Sequence, residues 1–454
     1  MHSDQFGNPG YKIEKSSRPA ARDYQISGLF ALIFAIFYGW LAVQLADSEY
    51  GAVDNLAFDF DPRLYLCTFA DSPMAIGGVK HPLILLLRPL TQALILLGVP
   101  HAAAAGLLMA AIGALGVGMW YLYLRAIAVT PAIAVAFTLL FAVSATQLYV
   151  AMIPDSYGPA GTALVGLWLL TSLRLNDPRA GGAWRYVAGF ANFGITVTNV
   201  VVSFIAELLI WLRHETIGVA IRRTFMFGVW LAMLLALPLL AIWHAALWDI
   251  LRDPVGWLKS VYWLQTFSEK AGLGPIFLTF VEFVTVAPDY VWVPIDDGWN
   301  MRDFRAPLYS TTGIAAAALW SALLAGGIAA GLRDRGIRWL TVGLLVTFAF
   351  NVALHTKFQF RLSLFIYTSH VLMLVFALAA GWARLASRHA ASAWAMTVAL
   401  AVLVCLTGAN NIPMAVAFAQ DFRNTGIKAR VTCADYAAGT VPVDGQAAAP
   451  GAKP

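Results

Sequence analysis

The chain predicts an all-α, polytopic membrane protein, and three observations carry that prediction. Its residues are 60% hydrophobic and only 12% charged, where a soluble domain carries about 25% charge. Its mean hydropathy is +0.70. Its apolar residues fall into runs of about 20, the length that crosses a bilayer as a helix, and arginines cluster in the short loops between them. The net charge of +5 sits in those loops and gives no reason to expect nucleic acid as a partner.

The elements follow in order. Residues 1–24 are polar, carry Lys12, Lys15, Arg18 and Arg22, and are expected in the cytoplasm. The run 25–46 is not followed by an A-x-A site, so it is read as a retained first span rather than a cleaved signal. Further candidate spans are 102–124, 130–152, 157–174, 186–198 with 199–213, 224–246, 308–331, 339–356, 362–383 and 391–409, giving about 11 transmembrane helices. The stretch 82–98 is short and holds Arg88, Pro89 and Gln92. Orientation decides how it is placed. If it lies along the outer interface, Arg125, Arg174/Arg179/Arg185, Arg213/Arg222/Arg223, Arg333/Arg335/Arg338 and Arg384/Arg388 all become cytoplasmic, as the positive-inside rule requires. If it crosses, the Arg174–Arg185 loop falls outside. The interfacial placement is preferred.

Two outer loops result, 47–101 and 247–307, with juxtamembrane helices on the outer face. The segment 410–454 is a non-cytoplasmic tail whose end is small and polar and reads as disordered. In 186–213, Gly194, Thr196, Thr198 and Asn199 interrupt the apolar run, which predicts a hairpin of two short spans; a kinked single helix is the alternative. No internal repeat supports an inverted-repeat transporter.

The chemistry-bearing residues gather at the outer side. Asp59-Phe60-Asp61 follows the first span. Alternation in an extended segment would place both carboxylates on one face, one to take a proton and the other to orient an acceptor or hold a divalent metal. The alternative is a solvated loop in which Asp61 caps the turn at Pro62. Lys80-His81-Pro82 and Arg88 stand at the expected start of an interfacial helix, whose free N–H groups suit a phosphate; snorkelling to lipid headgroups is the alternative. Asp155, in Pro154-Asp155-Ser156-Tyr157, either lines a site or, with Ser156, caps the next span. Lys357 and Arg361, spaced by Phe358 and Phe360, suit a lipid-linked phosphate. His370, about two turns into the next span, needs a partner.

Three further features stay open. The tryptophan-rich loop 247–307 suits either sugar stacking or an aromatic belt, and its apolar piece Pro275–Ala287 is expected in the interface. Glu207 is an intramembrane carboxylate, either functional or paired to an arginine. Cys67 and Cys433 both fall outside and can pair in an oxidising compartment. No CxxC or Cys/His cluster indicates zinc.

These residues, in this order, resemble the GT-C superfamily of membrane glycosyltransferases, the group of protein mannosyltransferases and the lipid A aminoarabinose transferase. The resemblance rests on Asp59-Phe60-Asp61 after a first span, Lys80-His81-Pro82, Pro154-Asp155 and the interrupted hairpin at Gly194–Asn199, and covers about residues 25–215. Two departures stand out: the acids are separated by a phenylalanine rather than adjacent, and Lys-His-Pro-Leu replaces Lys-Pro-Pro. The resemblance implies a GT-C-like fold over 25–409. It implies transfer of one sugar from a polyprenyl-phosphate carrier to a glycan, lipid or protein acceptor outside the cell (inner, cytoplasmic) membrane. Asp59 or Asp61 would be the base, with Lys80, His81, Arg88, Asp155, Lys357, Arg361 and His370 around the substrates. An envelope polysaccharide polymerase or ligase is a second reading. A lipid or solute transporter without chemistry is a third, and would need charges along a path reaching both membrane faces.

Overall fold

The computed structural model describes residues 18–48, 50, 56–70, 84–253, 255, 271–295, 299–357 and 363–422. In chain order the helices are α1 (Ala21–Ala46), α2 (Pro62–Ala70), α3 (Ile84–Leu96), α4 (His101–Ala126), α5 (Pro131–Ala142), α6 (Ala145–Met152), α7 (Tyr157–Arg174), α8 (Trp184–Ile195), α9 (Asn199–His214), α10 (Ile217–Arg252) and α11 (Leu273–Leu278). A hairpin of β1 (Val291–Ile295) and β2 (Trp299–Asp303) follows. The chain continues through α12 (Thr311–Arg333), α13 (Arg338–His355), α14 (Ser369–Ala386) and α15 (Ala390–Asp421). Among the described residues seven helices are long and apolar enough to cross a membrane, or eight if α5 and α6 are one broken span.

The core is built around α14. With the turn before it, 89% of its most apolar window is buried, against 22–61% for the other six candidate spans. A helix apolar on all sides belongs in the middle of a bundle. Its neighbour α12 approaches at backbone distance: a Cβ on Gly381 would meet the Gly327 carbonyl oxygen at 2.3 Å. Small residues allow such approach between membrane helices, where packing rather than the hydrophobic effect holds them together. The α1–α4 pair does the same through Gly39, Ala42, Gly106 and Gly118, and Ser27 Oγ donates to the Gly118 carbonyl at 2.9 Å.

The basic helix ends are tied inward. Arg125 pairs with Asp23 at 2.8 Å, and Arg384 with Asp334 at 2.8 Å. Glu207 is buried between Arg174 (2.5 Å) and Arg185 (3.0 Å) and accepts from Trp211 Nε1 at 2.8 Å. Of the two readings of Glu207, the paired one holds. The same contact establishes the hairpin. Arg185 and Glu207 are 22 residues apart, and one continuous helix would separate them by about 33 Å. The chain therefore turns back between α8 and α9, where Thr196 is extended.

Several expectations are corrected. The run 130–152 is not one helix: α5 and α6 meet at 58°. The freed amides of Ala145 and Thr146 bond to Thr285 O (3.0 Å) and Val284 O (3.2 Å), and Asn411 Nδ2 satisfies the carbonyls of Val143 (2.9 Å) and Thr285 (2.7 Å). Broken backbone at membrane depth needs such partners. It follows that Pro275–Ala287 does not lie on the surface. Its leading end exposes Phe277, but Phe280 and Phe283, in a π turn at Thr279–Phe283, and Val284 and Val286 after it are buried in the protein. Nor does a tail begin at Asn410: α15 runs on to Asp421, because Asn410 and Asn411 serve this internal joint. The two-stranded hairpin is a small exception to the all-α reading. Finally, α3 has 13 residues, about 20 Å of helix, well short of the ~30 Å hydrocarbon core.

Candidate functional site

The acidic loop is held by the hairpin. Ala57 bridges Arg302; Phe58 N donates to Arg302 O at 2.8 Å, and Arg302 N to Leu56 O at 3.0 Å. Arg302 is itself fixed over Trp292 (4.6 Å) and Phe422 (5.1 Å), and it pairs with Asp421. Phe58 is fully buried and plugs an aromatic cage of Phe304 and Phe365 (both 4.7 Å), Tyr149 (5.1 Å), Tyr290 and Phe418 (both 5.9 Å).

The loop is strained where it carries its first carboxylate. Phe58 has φ 54° and Asp59 φ 62°, two successive left-handed residues at roughly 1–2 kcal/mol each. For a bulky residue such as Phe58 this is an outlier that only surrounding contacts maintain. The expected extended segment with alternating faces is therefore wrong. The loop folds over instead: Phe60 N donates to Ala57 O (3.1 Å), Asp59 is buried at 5% exposure, and Asp61 is half-buried. Asp61 opens α2, its carbonyl accepting from Tyr65 N at 3.3 Å, with Pro62 in the first-turn position where its missing N–H costs nothing.

Asp155 joins this loop. Asp61 N donates to Asp155 Oδ2 at 3.0 Å, and Asp155 Oδ1 accepts from Ser156 N and, at 3.2 Å, from Ser156 Oγ. Asp155 is 3% exposed. The N-cap of α7 is Ser156, whose own side chain makes no capping bond; the Asp155 carboxylate instead accepts the Ser156 N–H at the helix start and, through its other oxygen, holds the acidic loop.

The second half of the site follows from Tyr157. Its phenol lies within electrostatic reach of Asp155, Asp61, Tyr65 and Tyr367. Phe60 meets it edge-on at 5.9 Å. His370 stacks on it at 5.7 Å, and Tyr367 packs at 6.0 Å. Tyr367 stacks on His355 at 4.1 Å, and His355 and His370 are 6.1 Å apart. A continuous chain of ring contacts thus runs from Phe60, between the two aspartates, through Tyr157 and Tyr367 to His355. Lys357 is exposed two residues beyond. His370 is in the first turn of α14, not two turns in, because a 3-10 turn at Phe365–Thr368 precedes the helix.

Of the sequence candidates, then, Asp61 and Asp155 are joined and His370 stacks on the adjacent Tyr157, Asp59 is buried in the same loop, and Lys357 lies two residues beyond His355. Arg88 is half-buried on α3; Leu87 beside it packs on the Tyr65 cluster, which places α3 against the flank of α2. Lys80, His81, Arg361 and Cys433 lie outside the described residues. Among the described residues no group of three or more His, Cys, Asp or Glu side chains is arranged to hold a metal, so the metal reading of Asp59 and Asp61 finds no third ligand there. Tyr65, Tyr157, Tyr367 and His355 were not anticipated as site residues; the aromatic spacing around the turn was their only signal. Cys67 is buried and disulfide-bonded, whereas Cys405 is a free, exposed thiol.

A second buried carboxylate braces the site. Asp303 is fully buried at the end of β2; it accepts from Arg305 Nε (2.8 Å), Phe304 N (2.9 Å) and Ser363 Oγ (3.3 Å). Burial pushes its carboxyl up to about 6, with Arg305 opposing the rise. It links the hairpin under the acidic loop to the segment that leads into Tyr367.

The fold is that of a helical, multi-pass membrane protein, and the acidic loop and aromatic cluster make up its candidate site. No protein-family model, characterised protein or solved structure matches the chain.

Proposed function

We propose that this protein is a membrane glycosyltransferase of the GT-C kind, moving one sugar from a polyprenyl-phosphate carrier to an envelope acceptor on the non-cytoplasmic face. The observation that carries the reading is the Asp61–Asp155 contact. It docks a strained, carboxylate-bearing loop onto the Pro-Asp turn, beside a wall of tyrosines and histidines that leads to Lys357. Such strain at a polar site is what pre-organised chemistry uses.

In the reaction, an acceptor hydroxyl attacks the anomeric carbon and its proton passes to Asp59 or Asp61. The bond from that carbon to the phosphate oxygen breaks, and polyprenyl phosphate leaves with the electron pair. Lys357 and Arg361, with His81, offset the charge developing on the phosphate. Tyr157 and Tyr367 offer faces for the sugar. Asp155 positions the loop through the backbone of Asp61.

The fold assignment counts about eleven membrane helices: the eight apolar spans, α7, and the two halves of the α8–α9 hairpin, which at 12 and 16 residues are short spans that together enter the bilayer and return. The disulfide at Cys67 supports an oxidising compartment for the acidic loop, and the arginine-rich helix ends at the opposite side support a cytoplasmic placement there. The gathering of candidates at one end favours a transferase over a transporter, whose charges would reach both faces.

The test is single replacement of Asp59 and Asp61 by Asn, with sugar transfer measured in membranes. Transfer should be abolished in each variant while the protein remains folded. Full activity in both removes the base assignment.

A further inference from the structure

We propose that the basic ends of α12 and α14 form a binding site for an anionic phospholipid, a role separate from the transferase reading and independent of it. A cavity of about 310 Å³ opens between these helices. Its wall is apolar and small, made by Gly326, Ala329 and Ala330 on one side and Trp382 and Leu385 on the other. Trp382 and Leu385 are about two-fifths exposed, on a face that lipid would cover in a membrane-spanning bundle. Arg333, Arg388 and Asp334 stand at its polar end.

Charge decides the occupant. The helix ends 333–338 and 384–388 carry five arginines, at 333, 335, 338, 384 and 388, and one carboxylate, Asp334. That carboxylate is already committed: Oδ2 lies 2.8 Å from both Arg384 Nε and Arg388 Nη2, and Oδ1 accepts from Gly336 N at 2.9 Å. Arg338 Nε is turned to the Leu332 carbonyl at 2.7 Å. Arg333 has no ion-pair partner among the described residues. The C-termini of α12 and α14 bring partial negative charge to this end, but the arginines outnumber it. A basic pocket between membrane helices, with a tryptophan at the interface, suits a phosphate-bearing headgroup. The apolar wall beneath then takes the first part of an acyl chain, which a free phosphate would leave uncovered.

Native mass spectrometry of the full chain in detergent tests this. The protein is mixed with equal amounts of phosphatidylglycerol or phosphatidylcholine of matched chains. Phosphatidylglycerol adducts should predominate, and Arg333→Gln should reduce them about fivefold, the loss expected for one arginine near a headgroup. Ala329→Phe, which fills the cavity, should reduce them similarly, while Arg179→Gln in another basic loop leaves them unchanged. Equal adducts of the two lipids on the wild-type protein would overturn the site, a comparison that needs no variant to fold. So would wild-type adduct levels in both cavity variants, an equal loss in Arg179→Gln, or displacement by millimolar inorganic phosphate.

Discussion

The backbone N–H of Asp61 donates to the Asp155 carboxylate at 3.0 Å, joining residues 94 positions apart. This one bond ties the loop after the first membrane helix to the turn before α7. It makes Asp155 a positioning residue whose loss should be felt in activity before it is felt in fold. Asp155→Ala removes the charged acceptor of this part-buried bond, a contribution of at most roughly 1.5–3 kcal/mol. Transfer should fall severely in Asp155→Ala and less in Asp155→Asn, which keeps one acceptor oxygen. Thermal unfolding in detergent, measured alongside, separates the two effects. Equal activity in both variants and the wild type would remove the positioning role.

Asp59 gives a sharper separation of chemistry from stability. Its φ of 62° is comfortable for glycine and strained for alanine. Asp59→Gly should therefore be more stable than Asp59→Ala by about 1 kcal/mol. Both should lack transfer. A transfer-competent Asp59→Gly protein would show that the carboxylate is not needed.

The sequence made the membrane class, the interrupted hairpin and the grouping of Asp59, Asp61 and Asp155 legible. Each of these follows from local chemistry: apolar run length, helix-breaking residues, and carboxylates placed where a bilayer makes them costly. The misreadings came from long-range partners. Nothing local says that Asn411 will satisfy Val143 and Thr285, so neither the break between α5 and α6 nor the burial of Phe280–Val286 was foreseeable. The alternation rule failed at Asp59 because the aromatic cage around Phe58 imposes a left-handed turn that no propensity would choose. Tyr367 and His355 were hidden for the same reason: their stacking depends on how α13 and α14 meet.

Glu207 should prove structural. Glu207→Gln leaves Arg174 and Arg185 facing a neutral group in a buried site, and removing one partner of such a cluster costs about 3–5 kcal/mol. The unfolding midpoint should drop strongly, with turnover per folded molecule unchanged. A selective loss of turnover at wild-type stability would reopen a functional role.

Asp303 predicts a pH dependence of stability. Burial raises its carboxyl to about 6, above the usual value near 3.9 in an unfolded chain. The folded state therefore takes up the proton more readily. That stabilisation is complete below about pH 4 and is lost as pH rises through about 6. The unfolding midpoint of the wild type should carry a falling component across this window, and Asp303→Asn should lack it. Identical profiles for both proteins would contradict the buried-carboxyl account.

The central claim is lipid-linked sugar transfer at the Asp59/Asp61 end of the bundle. The most direct measurement incubates membranes containing the protein with defined polyprenyl-phosphate sugars and follows both products by mass spectrometry. The account predicts sugar-modified envelope material together with free polyprenyl phosphate, both absent from membranes of Asp59→Asn or Asp61→Asn protein. Carrier sugars left intact across the full set, or products formed equally by wild type and both variants, would contradict it.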